Sequence, residues 1–262
     1  MTIEVVLTRW APTFLLLLAR CGGVVVFGPV LGSRTLPRAV KAGLAGTLAL
    51  LLTPLVLGQG LRLPVDGPGL AGTILGELAI GAILGLAVQF TFAGIGIAGE
   101  LLAVQMGVGL PEALDPHTMV RVTSVNHLLD QIAVLTFLAV GGHHTVLAAL
   151  AQSLTLAPPL SVAYGGGVML FLAGLFGAAL TLAIRIAAPV GAVMLVIIVA
   201  LGLLNRVAPQ VNVFMVSFVL TIGVGLLALL FALPVLGAVM AGSFQELPSL
   251  LAGLLTRMRH GL

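Results

Sequence analysis

Apolar residues run along this chain in long unbroken stretches, and the polar residues mark where the stretches stop. From Gln131 to Ile184 there is no Asp, Glu, Lys or Arg. Continuous apolarity lacks the two-residue alternation of a membrane β-barrel strand and predicts helices. A helix that crosses lipid needs roughly 20 apolar residues, and about six segments reach that length. The first is Trp10–Leu31, broken by Arg20. Next come Ala42–Leu61 and Leu70–Gly99, the latter with Glu77 near its start. A fourth begins near Gln131 and ends around Gly141 and Gly142 or somewhat later, and a fifth is Gly165–Ile184. Arg185 then introduces Ile186–Asn205, and Arg206 introduces Val207–Gln245. Pro189, Pro209 and Pro234 fall in this last stretch, and each kinks or ends a helix, so the count is six or seven.

Composition moves the picture from apolar helices to a membrane protein. Of the 262 residues, 60% are hydrophobic and 7% charged, too few charges to keep a domain of this size in water. The solvent for most of the chain is lipid or other membrane segments. The fold class expected is an all-α integral membrane protein, with residues 1–262 as a single domain of packed hairpins. Net charge is +3, from 11 basic and 8 acidic residues scattered along the chain. With no Lys/Arg-rich run and no aromatic platform, nucleic acid is excluded as a partner. Arg9 and the apolar run Phe14–Ala19 resemble a leader, but Arg20 interrupts the run and no Ala-x-Ala pattern follows. The expectation is a retained first segment. The lone Cys21 has no partner for an internal disulfide and reads as a small packed hydrophobe.

Glycine spacing points to close helix contact. Among 34 glycines are Gly72-x-x-x-Gly76, Gly81-x-x-x-Gly85 and the group Gly94, Gly96, Gly99. Small residues at this spacing let backbones approach in lipid. One Trp and one Tyr cannot build two aromatic belts, which implies that much of the surface meets protein.

The scarce polar groups then locate candidate chemistry. Arg34, Arg38 and Lys41 form a basic loop that the positive-inside rule places in the cytoplasm, and Arg257, Arg259 and His260 suggest a cytoplasmic tail. Residues 100–130 hold four of the acidic residues: Glu100, Glu112, Asp115 and Asp130. Within that stretch Gln105, Met106, Gly107, Val108, Gly109, Leu110 and Pro111 form an apolar, flexible, proline-capped run. Irregular backbone of this kind at membrane depth belongs where it lines a cavity, so the run is a candidate pore-closing loop. Asp115, His117, His127, Asp130, His143 and His144 are metal-ligand types, but only His127 and Asp130 have helical ligand spacing. No nucleophile elbow, zinc or phosphate-loop motif has the right context, and no metal, cofactor or catalytic residue is assigned. Arg185 and Arg206 each interrupt apolar runs, and a charge at mid-bilayer is costly, so each should sit at an interface, in a vestibule or paired.

Three stretches together resemble the FliR/SctT family of type III export-gate proteins. They are Phe27–Lys41; Gly99-Glu100 with Val104–Gly107 and Leu114–Pro116; and Ile184–Pro189 with Leu201–Phe214. Gly142-His143-His144 also fits, and the resemblance spans essentially the whole chain. It implies a non-enzymatic core subunit in the bacterial inner membrane at the flagellar basal body. In that family one FliR-like copy joins FliP-like and FliQ-like subunits, with an FlhB-like subunit bound outside, and unfolded proteins as cargo. The fold implied is a fused FliP-like plus FliQ-like set of hairpins. The plug implied covers Gln105 to Arg121, including Asp115. Arg34, Arg38, Glu100, Arg185, Arg206, Gln210 and Asn212 are the expected packing and partner contacts. The injectisome counterpart is the alternative. A secondary transporter fits less well, because no inverted repeat is visible and Glu77 is the only clear mid-helix candidate for coupling.

Overall fold

The structure is a computed structural model that describes residues 10–33, 36–57, 67–108, 125–159, 166–208, 210 and 212–260. Among these residues the chain is all α. In order the helices are α1 (Ala11–Phe27), α2 (Arg38–Val56), α3 (Gly67–Met106), α4 (Val125–Ala139), α5 (Gly142–Leu156), α6 (Gly166–Val207), α7 (Val213–Gln245) and α8 (Leu247–His260). Four helical stretches are long and apolar enough to cross a membrane: Arg38–Val56, Gly67–Met106, Gly167–Val207 and Met215–Met258. Taking α4 and α5 together as one broken span raises the number to five. The chain is a multi-pass, all-α membrane protein.

The expected segments and the helices differ at two charges. Arg20 does not break α1, and Arg185 does not separate two segments. α6 runs 42 residues through both Arg185 and Pro189. Neither a charge that faces outward, as at Arg185, nor one that is buried and paired, as at Arg20, interrupts the backbone ladder. Pro189 removes one donor, yet without water to solvate freed carbonyls the helix remains the best arrangement around it. Pro54 and Pro234 are likewise inside helices. α6 ends at Val207, just past Arg206 in its last turn, and α7 begins at Val213. Hydroxyls in these apolar helices bond back to their own turns, as Thr53 Oγ1 does to the Ala49 carbonyl at 2.6 Å.

The chain divides into two compact units. The first comprises Met1–Phe90, Gly141–Leu175 and Glu246–Leu262. In it α1 packs along α2, and α8 packs on α5. Its core includes Leu16, Leu17, Val24, Ile80, Leu150 and Leu154, with Cys21 fully buried among them. The spacing of Leu247, Leu251, Leu254, Leu255 and Met258 gives α8 one apolar face, and all five are buried. The Arg257 guanidinium on its other side lies 5.4 Å from the centre of the Phe171 ring, a cation–π contact. The glycines anticipated as packing sites act here between α1 and α3. A Cβ at Gly81 would overlap the Arg20 carbonyl oxygen, and one at Gly23 would sit 2.5 Å from the Leu78 oxygen. At Gly72, by contrast, a Cβ would meet nothing within 4 Å.

The second unit comprises Thr91–Val140 and Phe176–Gln245. Phe92, Phe137 and Phe244, from α3, α4 and α7, form a ring cluster with centroids 5.1–5.4 Å apart. Edge-to-face and tilted geometry of this kind is favourable beyond its area. Gly94 lets α3 approach α6, since a Cβ there would lie 2.6 Å from the Ala179 oxygen. Gly99 does the same toward α4, with Asn126 Cα at 2.7 Å.

Candidate functional site

Two places concentrate polar or irregular structure: the C-terminal end of α3 in the second unit, and a buried arginine in the first.

α3 ends in a Schellman motif. Gly107 adopts φ 73, in the left-handed region that favours glycine. Its N–H donates to the Val104 carbonyl at 3.1 Å, and the Val108 N–H donates to the Ala103 carbonyl at 3.1 Å. These are the two bonds that close such a cap. Gln105 and Met106 are therefore helical rather than loop, and only Gly107 and Val108 of the described run lie beyond the helix. Gly109, Leu110, Pro111 and Asp115 lie outside the described residues.

Met106 is fully buried, and Gly225 of α7 makes room for it. A Cβ at Gly225 would come within 2.6 Å of the Met106 Cγ and 3.1 Å of its sulfur. Gln105 is exposed and lays its amide over Gly191 of α6, where a Cβ would sit 3.3 Å from Oε1. Beside this turn is an open cavity of about 290 Å³ lined by Val104, Gln105, Ile198, Leu201, Phe218 and Thr221. Its walls are mostly apolar, and the Thr221 hydroxyl is turned back on the Phe218 carbonyl at 3.4 Å. The end of α3 is thus anchored on one side by Met106 and open on the other. Gly225→Val should crowd Met106 and cost on the order of 1–3 kcal/mol, the usual range for overpacking. Adding Met106→Ala should return much of it. Thermal melting of the two variants in one detergent checks this, and equal melting of Gly225→Val and the unchanged protein would refute it.

The other anticipated contact residues are spread out. Arg34 lies outside the described residues. Arg38 is exposed at the first turn of α2, and Lys41 Nζ donates to the Gly32 carbonyl at 2.9 Å. Glu100 is exposed and accepts a long bond from Asn126 Nδ2 at 3.4 Å. Arg185 and Arg206 are exposed on α6. Gln210 and Asn212 are exposed between α6 and α7, and Asn212 Oδ1 caps α7 by accepting from the Met215 N–H at 3.4 Å. The imidazoles of His143 and His144 lie with centroids 4.0 Å apart at a tilt of 38°, and no group of three metal-binding side chains occurs among the described residues.

The buried arginine was legible only as an interruption. Arg20 is 0% exposed and Glu77 2% exposed. Arg20 Nε donates to Glu77 Oε2 at 2.6 Å. Nη1 donates to the carbonyl and hydroxyl oxygens of Ser153 at 3.0 and 3.1 Å, and Nη2 to the Ala157 carbonyl at 3.0 Å. One guanidinium therefore joins α1, α3 and the end of α5. The available signal was that Arg20 and Glu77 are isolated opposite charges in different apolar runs, and such charges pair.

Comparison with known proteins agrees with this architecture. The chain is 32% identical over 253 residues to a flagellar biosynthetic protein FliR from Pectobacterium carotovorum subsp. carotovorum, covering 96% of each chain. It is 28% identical over 258 residues to FliR of Escherichia coli K12, covering 95% of each. It is 29% identical over 221 residues to the surface presentation of antigens protein SpaR of Salmonella typhimurium, covering 83% of this chain and 82% of that one. The family described as bacterial export proteins, family 1, matches residues 11–247. With that match running from α1 to the start of α8, the chain belongs to the bacterial export proteins, family 1.

Proposed function

We propose that this export protein is the FliR-like subunit of a flagellar type III export gate. In this reading it joins FliP-like and FliQ-like subunits, with an FlhB-like subunit outside, in the bacterial inner membrane at the flagellar basal body. Together they form a conduit for unfolded proteins, with no catalytic step and no cofactor on this chain.

The length of its helices carries the reading. α3 has 40 residues and α6 has 42. At about 1.5 Å per residue they are ~60 and ~63 Å long. The hydrocarbon core is ~30 Å thick, and a tilt of about 40° lengthens the path only to ~39 Å. Yet α6 exposes apolar side chains along both halves: Met169, Leu170, Phe176 and Ile184 before Arg185, and Leu195, Val196, Val199 and Leu203 after it. Lipid cannot cover both halves, so partner helices must cover one. Arg185 divides α6 into stretches of ~29 and ~33 Å, each close to the thickness of the hydrocarbon core, so it is suited to the boundary of whichever half lies in lipid.

The turn at Gly107 and the residues after it, Gly109, Leu110, Pro111 and Asp115, then serve as the plug. Apolar residues at a narrow lumen seal it by dewetting, and cargo displaces them. Because Met106 is an anchor, the informative deletion begins after Val108. Removing residues 109–116 should leave the complex assembled and admit small ions, read as dye uptake at matched complex abundance. Wild-type impermeability of that assembled complex would remove the plug.

Similarity to SpaR favours one second reading, an injectisome gate. Disrupting the gene decides between them. The flagellar reading expects loss of motility and of secreted flagellar protein, restored by the gene in trans. Normal motility with a loss of other type III secretion would favour the injectisome.

A further inference from the structure

Gly96 opens a notch between α3 and α4. The two helices run antiparallel here, with Asn126 against Gly99 and Asp130, one turn on, against Gly96. At Gly99 they are in contact, and a Cβ would lie 2.7 Å from Asn126 Cα. At Gly96 there is room. Among the described residues, the atoms within 4 Å of a Cβ there are Asp130 Oδ1 at 3.7 Å and Asn126 Oδ1 at 3.8 Å. Both are acceptors. The Asn126 amide is oriented by its other end: Nδ2 donates to Glu100 Oε2 at 3.4 Å, which leaves Oδ1 toward Gly96. That oxygen is buried and has no hydrogen-bond partner among the described residues. Buried acceptors are normally satisfied, so this one points to a missing donor. The carboxylates lack a cation as well, since the one ion pair among the described residues is Arg20 with Glu77. Gly96 and Asp130 are half-buried and Glu100 is exposed, so the notch opens to the surface.

We infer that this notch takes the ammonium group of a lysine from a neighbouring subunit's membrane helix, and so docks that helix on α3 and α4. The inference rests on the reading that partner helices cover α3. Two carboxylates and an unpartnered amide oxygen select a cation. The space is that of one missing side chain, which suits a compact ammonium with three donors better than the broad planar fork of a guanidinium. The guest is not from this chain: Lys41 is its single lysine and already donates to the Gly32 carbonyl. The surroundings fit a helix. Val104, one turn beyond Glu100 on α3, and Leu138, two turns beyond Asp130 on α4, are exposed apolar side chains. Carboxylates left facing lipid are costly, and so is a lysine within an apolar helix, so each side supplies what the other lacks.

The test couples the pair where it meets. The full chain is purified in mild detergent from cells with its own partners and treated with a carbodiimide, which joins a carboxylate to an amine only where the two are in contact. Mass spectrometry should find Glu100 or Asp130 joined to a lysine of a co-purifying membrane subunit. Gly96→Ala should lower the yield of that linked peptide at least about ten-fold at equal abundance of the chain. Its methyl makes only ordinary contacts with the chain's own atoms and favours the helix, so it fills the notch without disturbing α3 or α4. The linkage in the unchanged protein is informative by itself, whatever the variant does. A complex that keeps its partners and forms such links elsewhere, but none at Glu100 or Asp130, would overturn the notch and leave the gate reading standing. So would links to Lys41 of a second copy, or a yield that Gly96→Ala leaves unchanged. A chain that purifies without partners would overturn both.

Discussion

Arg20→Leu, with Glu77 left in place, should deplete the protein from membranes. The change strands the Glu77 carboxylate, 2% exposed, and removes the guanidinium from the Ala157 carbonyl and from Ser153, whose carbonyl keeps only the Ala157 N–H. Breaking one side of a buried pair costs roughly 3–5 kcal/mol, a large share of a stability of about 5–15 kcal/mol. Glu77→Gln should be milder, since an amide oxygen still accepts from Nε and the α5 contacts survive. Immunoblots of the membrane fraction, with melting of whatever is recovered, report the ranking. Arg20→Leu at normal abundance and melting temperature would mean that the buried network contributes little.

Gly81→Ala should be nearly as damaging, and Gly72→Ala harmless. Both glycines are on α3 and both belong to four-residue small-residue patterns. At Gly81 a methyl would overlap the Arg20 carbonyl and press on Gly23 Cα at 3.1 Å. These are backbone atoms, so no rotamer change relieves the clash, and α1 must move away from α3. That movement also carries Arg20 off Glu77. The cost should exceed the about 1–3 kcal/mol of ordinary overpacking. At Gly72 there is open space within 4 Å, and alanine should gain up to about 1 kcal/mol from helix propensity. Melting temperatures of the two variants in one detergent separate them. Equal values would show that α1 and α3 do not approach as closely as described.

This contrast shows where sequence reading stops. Spacing named Gly72, Gly81, Gly85, Gly94 and Gly99 alike, but only a backbone on the opposite side makes a glycine necessary. The apolar runs gave the membrane class and most helix positions, because burial in lipid imposes the pattern directly. α5 and α8 were missed as elements: at 15 and 14 residues they fall short of membrane length, and their apolar faces are completed by other helices. Arg185 looked like a boundary, but an outward charge does not interrupt hydrogen bonds along a helix. Met106 was legible as a flexible apolar residue near a turn. Its burial against Gly225 depends on α7, more than a hundred residues away, and no local pattern encodes that. Arg20 and Glu77 were both visible as isolated charges, and what the sequence lacked was the third partner, the end of α5 at Ser153 and Ala157.

In the proposed gate a second set of helices covers the apolar length of α3 and α6. Native mass spectrometry of the tagged chain, extracted in mild detergent from cells with their own partners, tests it directly. The expected particle is many times heavier than the 26.6 kDa chain and contains one copy of it with FliP-like and FliQ-like subunits. A stable, monodisperse particle made of this chain alone, as monomer or homodimer, would contradict the claim.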